Sequence, residues 1–123
     1  MVCNTVVIVS SYPEMLASLG ALVTGDGLAV RTADSLDVWL PRAKTELDYC
    51  LVLDTCEGDF FRPERIALLA VVCSSHPVLV LTEAGDVPTA VQAIRLGAAD
   101  VLQKPVDSPV VLTRIKRLLA TTP

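Results

Sequence analysis

The sequence predicts an α/β domain built on a doubly wound parallel sheet. Short runs of Val, Ile and Leu alternate five times with stretches whose apolar residues recur at helical spacing. Several of the strand-like runs are apolar throughout, which is typical of strands that are buried on both faces. Right-handed crossovers between parallel strands then place helices on both sides of the sheet. We expect a single domain over residues 1–123.

The composition and charge of the chain argue against several classes of function. The chain is 52% hydrophobic but only 4% aromatic, and its formal net charge of -4 argues against nucleic-acid binding by this domain. No apolar run reaches the ~18 residues of a membrane span, and no basic region precedes the first apolar run. The four cysteines form no C-x-x-C pair, and the single histidine, His76, gives no zinc cluster. We expect free thiols and a cytoplasmic protein without membrane contact.

The first half of the chain contains two predicted strands and two predicted helices before its longest buried run. β-branched residues predict a strand over Thr5–Val9, and a capping box of Ser11 and Glu14 predicts the start of a helix. A second strand is expected over Leu28–Thr32. The next helix should begin at Asp34 or Ser35, and Pro41 should kink it or end it early. The inward-facing residues expected for these helices are Met15, Leu16, Leu19, Val23, Leu36, Trp39 and Leu40.

The second half repeats the same alternation. The expected elements are a strand over Cys50–Asp54, a helix from Pro63, a strand over Pro77–Thr82, a helix capped by Asp86 and closed by Gly97, a strand over Ala99–Leu102, and a helix from Ser108. The expected inward-facing residues are Ile66, Leu69, Ala70 and Cys73 in the first of these helices, Val87, Ala90, Val91 and Ile94 in the second, and Val111, Leu112, Ile115, Leu118 and Leu119 in the third.

Asp54 is the first candidate functional residue. It follows four apolar or small residues and should therefore lie at the carboxyl end of a buried strand. Sites in open α/β sheets are built at that edge. A half-desolvated carboxylate there can serve as an acid, a metal ligand or a phosphate acceptor, although an aspartate can also simply start the turn after a strand.

The segment Val80–Pro105, together with Leu51–Asp54 at the right separation, resembles the receiver domains of two-component response regulators of the nitrogen-fixation transcription-regulator type. The resemblance covers essentially the whole chain. It implies a flavodoxin-like (β/α)5 fold with strand order 2-1-3-4-5. It also implies a signalling module of a phosphorelay, not an enzyme, whose partner is a histidine kinase or another signalling protein.

The resemblance assigns roles to individual residues. Asp54 matches the phosphoacceptor, while Thr82 and Lys104 match the hydroxyl and the lysine that bind the phosphoryl oxygens. A lysine beside the carboxylate can stabilise the charge that develops during phosphoryl transfer. The family's lysine precedes a cis proline, so we expect a cis bond between Lys104 and Pro105. Val101 matches the aromatic switch residue of the family, whose side chain rotates between exposed and buried positions on phosphorylation. A valine side chain cannot make the same movement.

The metal site departs from the family pattern. Ser10 and Ser11 replace the two acidic residues that would hold Mg²⁺ with Asp54 and with a loop carbonyl, here that of Cys56. Mg²⁺ prefers carboxylate oxygens, and two neutral hydroxyls offer no charge to offset its dehydration. Mg²⁺ binding is therefore doubtful by this pattern.

Three hypotheses about function follow from these residues. The first is an atypical receiver with weak or absent Mg²⁺-dependent phosphorylation that acts mainly in protein interactions. The alternative is a working phosphoacceptor that recruits Glu57 or Asp59 to the metal. A minor alternative is a flavodoxin-like mononucleotide binder, whose phosphate would meet the hydroxyls after the first strand. The resemblance also implies possible homodimers through the fourth helix, the fifth strand and the last helix.

Overall fold

The computed structural model describes residues 4–43, 48–55 and 62–121. The predictions that concern Cys3, Cys56, Glu57 and Asp59 lie outside these residues. The elements are β1 Thr5–Val9, α1 Pro13–Gly25, β2 Ala29–Ala33, α2 Leu36–Ala43, β3 Cys50–Asp54, α3 Pro63–Ser75, β4 Val78–Thr82, α4 Val87–Leu96, β5 Asp100–Gln103 and α5 Ser108–Thr121. Within the described residues, no helix is both long enough and apolar enough to cross a membrane.

The five strands form one parallel sheet in the order β2-β1-β3-β4-β5, which confirms the predicted fold. The register pairs Val9 with Leu53 and Leu53 with Val80. The carboxyl ends of β1, β3 and β4 therefore lie side by side at one edge. Strands β2 and β5 begin and end one residue later than predicted, and β4 begins one residue later.

Two apolar layers cover the sheet, because successive side chains of a strand point to opposite faces. Val7, Leu51 and Val80 belong to the layer shared with α2, α3 and α4. Val6, Val52 and Leu79 belong to the layer shared with α1 and α5. β3 is buried along its whole length, which explains why its sequence is an unbroken apolar run.

The predicted capping box at Ser11 is wrong. α1 begins at Pro13 with Tyr12 as its N-cap, and Tyr12 makes no side-chain cap hydrogen bond. Ser10 contacts this turn, because its hydroxyl oxygen accepts a hydrogen bond from the Tyr12 N–H at 3.1 Å. The backbone closes the turn itself, because the Met15 N–H donates to the Tyr12 carbonyl at 3.1 Å.

α2 and α3 contact each other through an ion pair that the apolar pattern did not predict. Ser35 caps α2 as predicted and accepts a hydrogen bond from the Val38 N–H at 3.2 Å, and α2 continues past Pro41 to Ala43. In α3 the buried residues are Arg65, Leu69 and Val72. The predicted residues Ile66, Ala70 and Cys73 are only half-buried. Arg65 can be buried because Asp37 of α2 pairs with its guanidinium.

The predicted inward face of α4 is largely wrong. Val87, Val91 and Ile94 are 59%, 41% and 57% exposed, and the buried residues are Thr89 and Ala93. Asp86 caps the helix as predicted and accepts hydrogen bonds from the Thr89 N–H at 3.2 Å and from its hydroxyl at 2.6 Å. Small side chains let this helix approach the sheet closely. Val87, Val91 and Ile94 point away from the sheet, whereas Leu96 packs against the buried layer.

The remaining helix predictions hold. Leu19 and Val23 of α1 and Val111 and Ile115 of α5 are buried in one layer. Arg114 of α5 is half-buried, and its guanidinium donates a hydrogen bond to Asp100 at 2.6 Å. Cys50 and Cys73 are free thiols, as expected, and burial raises the pKa of Cys73 to about 11.

His76 makes the folding stability depend on pH. Its ring stacks on Tyr49 with 3.9 Å between ring centroids, and burial lowers the pKa of His76 below 6.5 although nearby Asp48 opposes this shift. A lowered pKa means that the unfolded chain binds the proton more readily. This contribution to the free energy of unfolding is complete above about pH 6.5 and is lost as the pH falls through the folded-state pKa.

We expect His76→Phe to keep the stacking on Tyr49 and to flatten this decline of stability with falling pH. Urea unfolding at pH 7.5 and 5.5 measures it, and equal declines in both proteins would contradict the assignment.

Candidate functional site

The candidate site lies at the carboxyl edge of the sheet. Asp54 ends β3, Thr82 ends the adjacent β4, and Lys104 directly follows β5. Ser10 directly follows β1, on the other side of β3. The strand order therefore brings residues that are far apart in sequence to one edge, as predicted for Asp54, Thr82 and Lys104.

Protein groups hold both carboxylate oxygens of Asp54, which is 4% exposed. Oδ1 forms an ion pair with the Lys104 ammonium. Oδ2 accepts a hydrogen bond of 2.7 Å from the Ser10 hydroxyl, and Ser10 is also buried. A buried carboxylate requires such partners, because an uncompensated charge in the interior carries a large desolvation penalty.

Lys104 connects two carboxylates. Its ammonium contacts Asp54 and donates to Glu83 Oε1 at 3.0 Å, and it lies 5.0 Å from the centroid of the Tyr12 ring. Its backbone N–H donates to the Thr82 carbonyl at 2.8 Å, which ties the residue to the end of β4. Burial lowers the pKa of Lys104, but the hydrogen bonds and charges of Asp54 and Glu83 outweigh burial and leave it above 10.5. The ammonium is therefore firmly charged at neutral pH.

Thr82 places a hydroxyl at this edge that has no hydrogen-bond partner among the described residues, although the residue is fully buried. Its neighbour Thr55 is also buried, but the Thr55 hydroxyl donates to the Leu81 carbonyl at 2.9 Å. A buried hydroxyl without a partner is costly. The Thr82 hydroxyl is thus available to donate to an anion that forms at the sheet edge.

The other predicted site residues are placed as follows. Ser11 is exposed, in contrast to buried Ser10. Val101 is half-buried and packs against the apolar layer of α2, α3 and α4. The Lys104–Pro105 peptide bond is cis, as predicted. Cys56, whose carbonyl was the expected metal ligand, lies outside the described residues.

The described donor set does not suit Mg²⁺. No group of three His, Cys, Asp or Glu side chains that could hold a metal ion occurs within residues 4–43, 48–55 and 62–121. The Ser10 hydroxyl donates its hydrogen to Asp54, and the Lys104 ammonium faces the other carboxylate oxygen. Mg²⁺ requires oxygen ligands at short and nearly octahedral positions and is repelled by an adjacent ammonium. The weakness of the metal site remains a prediction, because Cys56, Glu57 and Asp59 lie outside the described residues.

Three site residues were missed by sequence reasoning. Glu83 and Tyr12 both contact Lys104, and Arg65 lines a small cavity together with Asp54 and Ser10. The position of Glu83 directly after Thr82 was a usable signal, because both follow the same strand end. Arg65 had no comparable signal, since an arginine among apolar helix residues is usually a solvated side chain.

Comparison with known proteins gives one family. Residues 6–116 match the family model described as the response regulator receiver domain. The chain is 33% identical over 113 residues to the transcriptional regulatory protein FixJ of Rhizobium meliloti, which covers 92% of this chain and 55% of that protein. It is 31% identical to the acid tolerance regulatory protein ActR of Sinorhizobium medicae, over 91% of this chain and 58% of that protein. The chain thus spans about half the length of these curated relatives.

Solved structures agree with the sequence comparison. The crystal structure of FixJ-N has a TM-score of 0.82 at 31% identity and is covered to 98%, with all of this chain aligned. The response regulator StyR has a TM-score of 0.78 at 28% identity, over 96% of this chain and 60% of that chain. Both similarities extend over nearly the whole fold, including the edge that carries Asp54.

The ion pair of Asp54 and Lys104 should be essential to stability. We expect Lys104→Met to lower the free energy of unfolding by about 3 kcal/mol, because it leaves a buried carboxylate uncompensated. Adding Asp54→Asn should recover most of this loss. Urea unfolding of the two single variants and the double variant measures the coupling.

Lys116 provides the matched control, because it pairs with Asp26 at 3.4 Å in a more exposed position. Lys116→Met should cost less than about 1 kcal/mol. If Lys104→Met costs no more than Lys116→Met, the buried pair does not have the importance assigned to it.

Proposed function

This chain belongs to the response regulator receiver domains of two-component signalling, and from that premise we propose that it is an atypical receiver. Its phosphoacceptor position is Asp54, with Thr82 and Lys104 as the accompanying hydroxyl and lysine. Mg²⁺-dependent phosphorylation of Asp54 is weak or absent, and the domain acts mainly as a protein-interaction module. Receiver domains in general are not enzymes, and we propose no enzymatic activity for this one.

The observation that carries this proposal is that protein groups already contact both carboxylate oxygens of Asp54. Lys104 occupies one carboxylate oxygen and the Ser10 hydroxyl occupies the other. A carboxylate that attacks phosphorus must free an oxygen from these contacts. Each contact also draws electron density from that oxygen and makes it a weaker nucleophile. Phosphorylation of Asp54 therefore has to compete with the contacts that hold its carboxylate.

The charge available to the transferred phosphoryl group is also small. Its oxygens need fixed positive charge in the transition state, and a divalent cation normally contributes much of it. Ser10 and Ser11 replace the carboxylates that would bind such a cation. Lys104 is then the remaining described cation that contacts Asp54, and it is shared with Glu83. The contacts that hold the Asp54 carboxylate and the small positive charge near it both slow phosphorylation.

A second candidate function is a working phosphoacceptor at Asp54, and one observation favours it. The buried Thr82 hydroxyl has no partner in the described part of the chain and could donate to a new phosphoryl oxygen. In this case the metal would have to be held differently, with Glu57 or Asp59 as the candidate ligands. Labelling of Asp54 by an acyl phosphate separates the two functions.

The proposed partner is a histidine kinase or another signalling protein. The relatives FixJ and ActR are named as regulatory proteins, and FixJ as a transcriptional one, so we propose that this domain also serves transcription regulation. Its negative net charge supports protein contacts over direct contact with nucleic acid. Free thiols at Cys50 and Cys73 suit a reducing compartment, and we place the protein in the cytoplasm, away from the membrane.

A homodimer through α4, β5 and α5 is part of the proposal. The exposed apolar residues Val87, Val91 and Ile94 recur at helical spacing on α4. Exposed apolar groups that form one face are typical of interaction surfaces. A second copy of the chain can cover this face symmetrically, since a two-fold axis pairs a surface with itself.

The double substitution Ser10→Asp and Ser11→Asp should create Mg²⁺ binding and phosphoryl acceptance at Asp54. The added carboxylates repel Asp54 in the absence of metal, and a divalent cation relieves this repulsion. At a Mg²⁺ concentration of about 100 times Kd, the double variant should gain about 2.7 kcal/mol of stability. Thermal melting with and without Mg²⁺ and acyl-phosphate labelling followed by mass spectrometry measure both effects.

The parent protein is expected to show neither effect. Adding Asp54→Asn to the double variant should abolish the label while the chain still folds. A parent protein that already melts higher with Mg²⁺ and labels as well as the double variant would establish the working phosphoacceptor instead.

Self-association can be tested on the exposed face of α4. We expect Ile94→Lys to shift the protein toward the monomer, because it places a charge in the apolar contact. Val71→Lys on α3 is the matched control, since Val71 is 61% exposed but lies on another helix. Light scattering over a concentration series measures the mass of each protein. Equal masses for the parent and Ile94→Lys would exclude this face as the dimer contact.

A further inference from the structure

Arg65 is an unexpected residue at its position. It is the third residue of α3, in line with the buried residues Leu69 and Val72, and its side chain is 11% exposed. Asp37 holds its guanidinium in two places, with Nε–Oδ1 at 3.1 Å and Nη2–Oδ2 at 2.6 Å. Such a two-point contact fixes the orientation of the guanidinium plane as well as its position.

The ion pair alone does not explain why Arg65 is buried. The Asp37 side chain is 66% exposed, so the same pair could have formed at the surface with little desolvation. Arg65 instead lines a cavity of about 70 Å³ together with Asp54, Ser10 and Ser11. This cavity holds the two serines at the family's acidic positions and the phosphoacceptor position itself.

The charges around this cavity are informative. Asp34 and Asp54 contribute carboxylates to its lining, and Arg65 contributes the only cation among the lining residues that the structure describes. A guanidinium stays protonated at any physiological pH. It is therefore a fixed cation, paired with Asp37, that lines the same cavity as Asp54, whereas Lys104 contacts the Asp54 carboxylate from the other direction, after β5.

We propose that Arg65, held by Asp37, takes the place of the divalent cation in this cavity. This inference rests on the proposed function and deepens it, because it names what fills the electrostatic role of the metal. Arg65 partly compensates the carboxylates that line the cavity and repels any divalent cation that enters. The loss of metal binding then has two separable causes, which are the missing carboxylates and the added guanidinium. Arg65 acts through its charge in the cavity and is not a catalytic residue.

The test measures Mg²⁺ affinity in the Ser10→Asp, Ser11→Asp background, where ligands for the cation are restored. Adding Arg65→Met or Arg65→Gln removes the charge and should tighten Mg²⁺ binding at least about tenfold, since charge repulsion is strong in a partly desolvated cavity. Arg65→Lys keeps the charge and should change the affinity less than about twofold. Isothermal titration calorimetry gives the dissociation constants, and the rise of Tm with Mg²⁺ gives a second readout.

Arg117 supplies the matched control. It is exposed on α5, on the other face of the sheet, so Arg117→Met changes the net charge equally without touching the cavity. Its effect on Mg²⁺ affinity should stay within about twofold. Two neutral substitutions of Arg65 are used so that the failure of one to fold does not end the test, and a cooperative melt identifies the folded variants.

Equal Mg²⁺ affinities in the neutral and charged Arg65 variants would overturn the proposal, as would an effect of Arg117→Met as large as that of Arg65→Met. Absence of Mg²⁺ binding in every variant would overturn it as well. The proposed function fails by a different result, namely acyl-phosphate labelling of Asp54 in the unaltered protein. The two failures are therefore distinguishable.

Discussion

The contact on which the site depends is the ion pair between Lys104 and the buried carboxylate of Asp54. An aspartate at 4% exposure needs a compensating charge, and the fold supplies it from the segment after β5. The crossover order of the sheet makes this possible, because β4 alone separates β3 from β5. The hydrogen bond from the Lys104 N–H to the Thr82 carbonyl then holds the lysine beside the strand that carries the site hydroxyl.

On the side of Asp54 that faces Ser10, protein groups supply the contacts of the carboxylate. The Ser10 hydroxyl donates to Asp54, which an ionised carboxylate at this position could not do. Arg65 brings a fixed cation to the same cavity. Hydroxyl donors and internal cations stabilise a carboxylate without exchangeable metal.

The fold was predictable because it depends on local pattern, whereas Thr82 and Lys104 were identified as site residues through the resemblance to receiver domains. An unbroken apolar run such as Cys50–Asp54 predicts a strand buried on both faces, and the positions of Thr82 and Lys104 follow from the strands that precede them. The α4 stripe was not predictable in this way. An apolar face at helical spacing is compatible with burial in the core or with contact to a partner, and Thr89 and Ala93 pack inward because the helix lies close to the sheet.

By itself, the sequence determined the element order and the winding of the sheet, since periodicity encodes both, and the resemblance to receiver domains drew attention to Ser10 and Ser11. Only the tertiary structure decided that Ser10 donates to Asp54, that Glu83 shares Lys104, and that Arg65 lines a cavity together with Asp54. These contacts join residues from different crossover units. Their partners are chosen by how the helices pack on the sheet, and no spacing along the chain records that choice.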